Sequence, residues 1–105
     1  MPDNKLKNIP DVQCLIKQLL SIPSISCTSP EIDQGNIHVI NLLADWFESL
    51  GFQCEIQVLD DDNNKANLIA TLGNGSNGLV LAGHTDTVPC DENLWQVDPL
   101  LSQLN

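Results

Sequence analysis

The chain has 105 residues, 42% of them hydrophobic, and its 14 Asp and Glu residues against four Lys and Arg residues give a formal charge of −10. This length suffices for one small domain with a hydrophobic core, and the shortage of cations excludes DNA or RNA as a partner, because binding to phosphates requires clustered positive charge. No apolar run reaches the roughly 18 residues of a membrane helix, and the N-terminal residues lack the apolar stretch of a signal peptide, so we expect a cytoplasmic protein that contacts no membrane.

Two amphipathic helices are predicted in the first half of the chain. Pro10 in a first turn and apolar residues at helical spacing predict a helix over residues 10–20, which ends before "SIPSIS". After a polar connector, a second helix is predicted over residues 37–50, with Asp33 or Asn36 able to cap its N-terminus and Gly51 ending it.

Three strands are predicted after these helices, over residues 52–59, 66–72 and 79–84. The connections between them are too short for a crossover helix, so neighbouring strands should be antiparallel, with "DDDNNK" a turn and "GNGSNG" a hairpin connector. The "GNGSNG" loop lacks the pattern and the following helix of a phosphate-binding loop.

The third strand differs from the first, which alternates apolar and polar residues. Its "LVLA" is apolar at every position, as in a strand buried on both faces inside an α/β sheet. Burying it requires more layers than 105 residues supply. We therefore expect an α/β fold in which residues 1–105, two helices and then three strands, form the N-terminal part of a larger, three-layer α/β/α domain.

The third strand ends in the sequence "GHTDTVP", which carries the strongest chemical signal in the chain. Ligands of open α/β sheets collect beyond the carboxyl ends of strands, and residues two apart on a strand point to the same side. His84 could thus bind a metal through one ring nitrogen while Asp86 accepts a hydrogen bond from the other. A histidine that only ends the strand, with Asp86 starting a turn, is the alternative.

The remaining candidate ligands carry weaker signals. His38 lies on the second predicted helix without a partner at metal-ligand spacing, so we expect an ordinary helix residue. The four cysteines form no C-x-x-C pair and are interpreted as free thiols, with Cys90, although close to the motif, an ordinary buried thiol.

Several motifs together resemble the N-terminal region of the M20 metallopeptidase and deacylase family. They are "PSIS", "LADWFESLGF", "GHTDTVP" and the later Trp95, Asp98 and Pro99. The likeness is greatest to the family's members that cleave N-acetyl-L-ornithine, with those that cleave succinyl-diaminopimelate as the alternative. It extends over nearly the whole chain and is much more specific than His-x-Asp alone.

The resemblance implies a hydrolase with two zinc ions, or cobalt, that releases ornithine and acetate from N-acetyl-L-ornithine in arginine biosynthesis. It implies that His84 is a metal ligand and that Asp86 is the catalytic aspartate that steers it. The family's other metal ligands, its general base and its dimerisation domain would follow Asn105. The resemblance therefore implies a homodimer for the complete enzyme and little activity for these 105 residues. A non-catalytic α/β module that binds a partner through an exposed sheet edge is the alternative of a different class.

Overall fold

The computed structural model describes residues 9–59 and 62–100. Helices α1 (Val12–Ser21) and α2 (Ile37–Ser49) come first, followed by strands β1 (Gln53–Leu59) and β2 (Asp62–Thr71). A short 3₁₀ turn, Glu92–Leu94, lies near the end of the described region. None of the helices in these ranges is long and apolar enough to cross a membrane. The predicted α/β class is confirmed, with two helices preceding the strands.

Helix α1 begins two residues later than predicted. Asp11 is its N-cap, and the carboxylate accepts a hydrogen bond from the backbone N–H of Cys14 at 2.9 Å. That hydrogen bond lowers the pKa of Asp11 below its usual value. No α1 residue is buried, and Val12 and Ile16 of its apolar stripe remain largely exposed. The helix is therefore specified mainly by its periodicity and its cap.

Helix α2 ends in a Schellman motif, as the predicted Gly51 stop requires. Gly51 has a φ of 93°, its N–H donates to the Glu48 carbonyl, and the Phe52 N–H donates to the Phe47 carbonyl. The rings of Phe47 and Phe52 meet edge to face with their centroids 5.0 Å apart. This aromatic contact is the hydrophobic pair that accompanies such a C-cap, and it sets the angle at which the chain enters β1.

The core lies between α2 and the sheet. Val39, Ile40 and Ala44 of α2 and Ala66 of β2 are its buried apolar residues within the described ranges. Cys54 of β1 packs against the helix with its Sγ 3.8 Å from the Ala44 carbonyl. Three of these four residues belong to α2, so the helix supplies most of the buried apolar residues in the described ranges.

Strands β1 and β2 form the predicted antiparallel pair, with Gln53 opposite Thr71 and Val58 opposite Ala66. A register irregularity follows Val58, and the pairing continues to Asp62. The second strand therefore begins at residue 62 rather than 66, and the predicted turn over residues 60–65 is wrong for its last four residues. Residues 60 and 61 of that turn lie outside the described ranges.

The predicted third strand is not formed. Residues 79–84 are irregular, and no described residue pairs with them along a strand. Leu79 and Leu81 are 84% and 86% exposed, so the expectation that this run is buried is wrong here. The cause is physical, because a strand requires a hydrogen-bonded neighbour and a covering layer, and the described residues place neither beside it. The predicted hairpin at "GNGSNG" fails for the same reason.

The connector between the helices is fastened to β2. The Asp33 carboxylate accepts a hydrogen bond from the Cys27 N–H at 2.9 Å and forms an ion pair with Lys65 at 3.0 Å. Both interactions lower the pKa of Asp33, the Cys27 hydrogen bond more than the Lys65 contact. Asp33 is therefore not the cap of α2 that the sequence allowed.

Candidate metal-binding site

His84 and Asp86 contact each other directly. The Nδ1 atom of His84 lies 2.7 Å from an Oδ1 atom of Asp86. When the imidazole is neutral and the carboxylate ionised, the carboxylate can only accept a hydrogen bond, so this contact places the proton on Nδ1 and leaves the lone pair of Nε2 available. This is the arrangement in which a carboxylate fixes the tautomer of a metal-binding histidine. The His84 side chain is 83% exposed, which leaves Nε2 accessible from solvent.

The motif is attached to the segment that follows α1. The Thr87 N–H donates to the Ser24 carbonyl at 3.1 Å, and the Ser26 N–H donates to the Thr87 carbonyl at 3.0 Å. Ile25 and Thr87 thereby form an isolated parallel bridge. The Ser24 hydroxyl, in a residue only 5% exposed, donates to the Thr85 carbonyl at 2.8 Å. Three hydrogen bonds therefore hold the backbone on which His84 and Asp86 stand.

Thr85 is also held through its side chain. Asn36, immediately before α2, donates from Nδ2 to the Thr85 Oγ1 at 2.9 Å. Asn36 thereby fixes the side chain of the residue that lies between His84 and Asp86. The predicted meeting of the His84 and Asp86 side chains occurs without the regular strand that was expected to produce it.

A cavity of about 730 Å³ lies beside this motif. It extends between α2, β2 and residues 79–86, and its lining is mainly apolar, with Ile40, Leu68 and Leu81 among the contributors. His84 and Asp86 lie at its wall. The candidate site therefore faces a concave space large enough for a small organic molecule.

The described residues match part of a zinc site. Zinc takes imidazole nitrogen and carboxylate oxygen ligands, usually four in all, and an oriented histidine suits one of them. Within residues 9–59 and 62–100, no three His, Cys, Asp or Glu side chains come together as a ligand cluster. His84 and Asp86 accordingly fit one ligand and its orienting partner, and a complete zinc site would need further ligands.

The other candidate ligands lie away from this pair or differ from expectation. His38 is exposed on α2, as predicted for an ordinary helix residue. All four cysteines are free thiols, as predicted, but Cys90 is exposed and the expectation of a buried thiol is wrong. Burial, with Glu48 as a smaller cause, raises the pKa of the Cys54 thiol instead.

Sequence reasoning missed the polar residues that support the motif. Asn36 was expected as a helix cap, yet its side chain forms no capping hydrogen bond and reaches β2 and Thr85 instead. Ser24 belongs to "SIPSIS", which by itself indicates only where α1 ends. Their partners are 49 and 61 residues away in sequence, so no local pattern could have indicated them.

The chain is similar to several acetylornithine deacetylases. It is 55% identical over 85 residues to that of Proteus mirabilis, a match that covers 81% of this chain and 22% of the relative. It is 49% identical over 92 residues to that of Klebsiella pneumoniae and 48% identical over 94 residues to that of Pasteurella multocida. No protein-family model matches the chain.

These matches cover most of this chain but little of each relative. The chain spans only about a quarter of the length of the curated relatives it matches. A match over 94 of 105 residues includes His84 and Asp86 wherever it begins. The substrate group that the "GHTDTVP" resemblance implies therefore agrees with the names of the relatives.

Proposed function

We propose that this chain supplies part of the active site, His84 and Asp86, of a zinc-dependent acetylornithine deacetylase of the M20 family. In this role it serves the hydrolysis of N-acetyl-L-ornithine to ornithine and acetate. The observation that carries the proposal is the 2.7 Å contact between His84 and Asp86, within a sequence nearly half identical to enzymes of that name. Cytoplasmic arginine biosynthesis is the corresponding setting.

His84 would hold zinc through Nε2, and Asp86 would accept the Nδ1 proton and keep the ring in the tautomer that binds metal. Bound zinc would polarise the amide carbonyl and make hydroxide available near neutral pH. Cobalt suits the same nitrogen and oxygen ligands. The remaining ligands, the second metal's partners and the general base would belong to residues outside this chain.

We also propose that residues 1–105 are one part of a larger catalytic domain, which would be homodimeric when complete. The exposed apolar run around Leu79 and Leu81 supports this idea, because apolar side chains in water favour burial at roughly 25 cal/mol per Å². Residues 79–84 would then gain strand neighbours and a covering layer from the rest of the domain.

A chimaeric enzyme tests the proposed function. The matching segment of the Proteus mirabilis acetylornithine deacetylase is replaced by the corresponding residues of this chain, and ornithine release is measured with zinc present. We expect the chimaera to be active and its His84→Ala variant to lose activity by at least about 100-fold, because a directly bound ligand is removed. His38→Ala is the matched control and should retain activity.

The proposal fails if the His84→Ala chimaera turns over as fast as its parent. A chimaera that folds but never releases ornithine, with or without His84, also contradicts it. Succinyl-diaminopimelate is assayed beside N-acetyl-L-ornithine, since the resemblance left that substrate open and the names of the relatives favour the acetyl compound.

A non-catalytic module is the second candidate function. It is favoured by one observation, the edge of β2 on the side away from β1: Asn36 occupies this edge at Ala66, but the part beyond it, at Leu68 and Ala70, lines the cavity and could accept an added strand. An inactive chimaera, together with a cooperative thermal transition of the 105-residue chain alone, would favour this module over the enzyme.

A further inference from the structure

Asn36 occupies the N-cap position of α2 but does not cap the helix. Its side chain forms no capping hydrogen bond, although Asn is among the residues best suited to that task. The amide is used elsewhere, in hydrogen bonds to two other parts of the fold. A cap-competent side chain that is diverted from the helix points to a different role.

The Asn36 side chain pairs with β2 as a neighbouring strand would. Its Oδ1 accepts from the Ala66 N–H at 2.9 Å, and its Nδ2 donates to the Ala66 carbonyl at 3.0 Å. The Asn36 backbone N–H also donates to the Asn64 carbonyl at 2.9 Å. Ala66 is 3% exposed, so this pairing supplies hydrogen bonds to both backbone groups of a buried residue.

The same amide continues from the sheet edge to the candidate metal motif. Nδ2 donates a second hydrogen bond, to the Thr85 Oγ1 at 2.9 Å. Thr85 stands between His84 and Asp86, and it is fixed from the other direction by the Ser24 hydroxyl on its carbonyl at 2.8 Å. One side-chain amide thus joins α2, β2 and the irregular segment that carries the site.

We propose that Asn36 is a positioning residue for the His84–Asp86 pair and acts through the Thr85 hydroxyl. No regular strand holds this segment within the described residues, so its geometry depends on the backbone hydrogen bonds of Thr87 and on the side-chain hydrogen bonds to Thr85. The hydrogen bond from Asn36 fixes Thr85, the residue between His84 and Asp86, whose side chains lie 2.7 Å apart. The inference rests on the proposed function, because the pair matters for chemistry only if His84 binds metal.

The decisive variants act on the Thr85 hydroxyl. Thr85→Val removes the hydroxyl at nearly constant shape and leaves the Asn36 contacts with Ala66 in place, whereas Thr85→Ser keeps the hydroxyl. Asn36→Ala removes all three side-chain hydrogen bonds, and Asn41→Ala, an exposed position on the same helix, is its control. If Asn36→Ala fails to fold, the comparison of Thr85→Val with Thr85→Ser tests the inference without it.

The first readout needs no metal. The full 105-residue chain is labelled with ¹⁵N-histidine, and the two ring nitrogens of His84 are observed by NMR near pH 8, where an ordinary imidazole is neutral. His38→Gln assigns the signals. We expect Nδ1–H to dominate in the parent and in Thr85→Ser, and its ratio to Nε2–H to fall about twofold or more in Thr85→Val and Asn36→Ala.

The second readout is the affinity for Zn²⁺ alone, followed through the same ring signals. We expect Thr85→Val and Asn36→Ala each to weaken zinc binding about tenfold, as loss of an orienting partner does. Their double variant should be little worse than either single variant, since both remove the same hydrogen bond. Thr85→Ser and Asn41→Ala should bind zinc like the parent.

The inference is overturned if Thr85→Val and Asn36→Ala keep both the parental tautomer ratio and the parental zinc affinity, or if Thr85→Ser loses them as completely as Thr85→Val. His84→Ala, whose zinc binding is measured by calorimetry because it lacks the His84 ring, separates this from the proposed function. Zinc binding that survives His84→Ala contradicts the metal-ligand role, and the tautomer ratio then decides the positioning role by itself. Zinc binding lost in His84→Ala but unchanged in Thr85→Val contradicts the positioning role alone.

Discussion

Replacing Gly35 by alanine should destabilise the protein through two separate effects. Gly35 has a φ of 74°, in the left-handed region that favours glycine. An added Cβ would lie closer to the Asn64 carbonyl oxygen than the 3.0 Å limit of real contacts. The chain would have to move to relieve this contact. That movement would stretch the hydrogen bond from the Asn36 N–H to the same oxygen.

Each effect has its own magnitude. A non-glycine residue in the left-handed conformation costs about 1–2 kcal/mol. Forcing an extra carbon against backbone that is already in contact costs about 1–3 kcal/mol more. We therefore expect Gly35→Ala to lower the free energy of unfolding by about 2–5 kcal/mol, a large part of the stability of a small domain.

Two other glycines of the chain separate these effects. Gly73 has a φ of 89° but nothing within 4 Å of an added Cβ, so Gly73→Ala should lose only the conformational part, about 1–2 kcal/mol. Gly78 has open space and no such φ, and Gly78→Ala should change stability by less than about 0.5 kcal/mol. Urea unfolding followed by circular dichroism gives all three values. A Gly35→Ala variant no less stable than Gly73→Ala would refute the steric part of this reasoning.

Two further predictions concern the connector and the helix end. The pKa of Asp33 is lowered in the folded state, so its stabilising contribution is present above the unfolded pKa, near 4, and is lost as the pH falls through the folded value. Asp33→Asn should therefore flatten the fall of the urea midpoint between about pH 5 and pH 2, and an unchanged slope would contradict this. The rings of Phe47 and Phe52 should couple by about 0.5–1.5 kcal/mol in a double-mutant cycle of their leucine variants. Additive losses of stability in that cycle would show that the ring contact contributes nothing beyond burial.

Local signals in the sequence were sufficient for the elements that are stabilised locally. Helix α2 follows from its apolar periodicity and from Gly51, because the C-cap hydrogen bonds join residues at most five apart. The antiparallel pair of β1 and β2 follows from alternation and a short connection. The start of β2 was misjudged because "DDDNNK" has the composition of a turn, while pairing with β1 extends the strand to Asp62.

For the candidate site too, the sequence predicted the local contact but not the burial that depends on distant residues. The spacing of His84 and Asp86 indicated that their side chains could meet, because residues two apart on extended backbone point to the same side. The prediction that Leu79 and Leu81 are buried failed, because burial depends on neighbours that a single segment does not contain.

By itself, the sequence determined the two helices, the antiparallel strand pair and the contact between His84 and Asp86, because each depends on residues close together in the chain. Only the tertiary structure decided what holds that contact in place. Asn36 contacts Thr85 across 49 residues, and Ser24 contacts it across 61. A polar side chain can bond many partners, and only the folded backbone brings these particular donors and acceptors within 3 Å of each other.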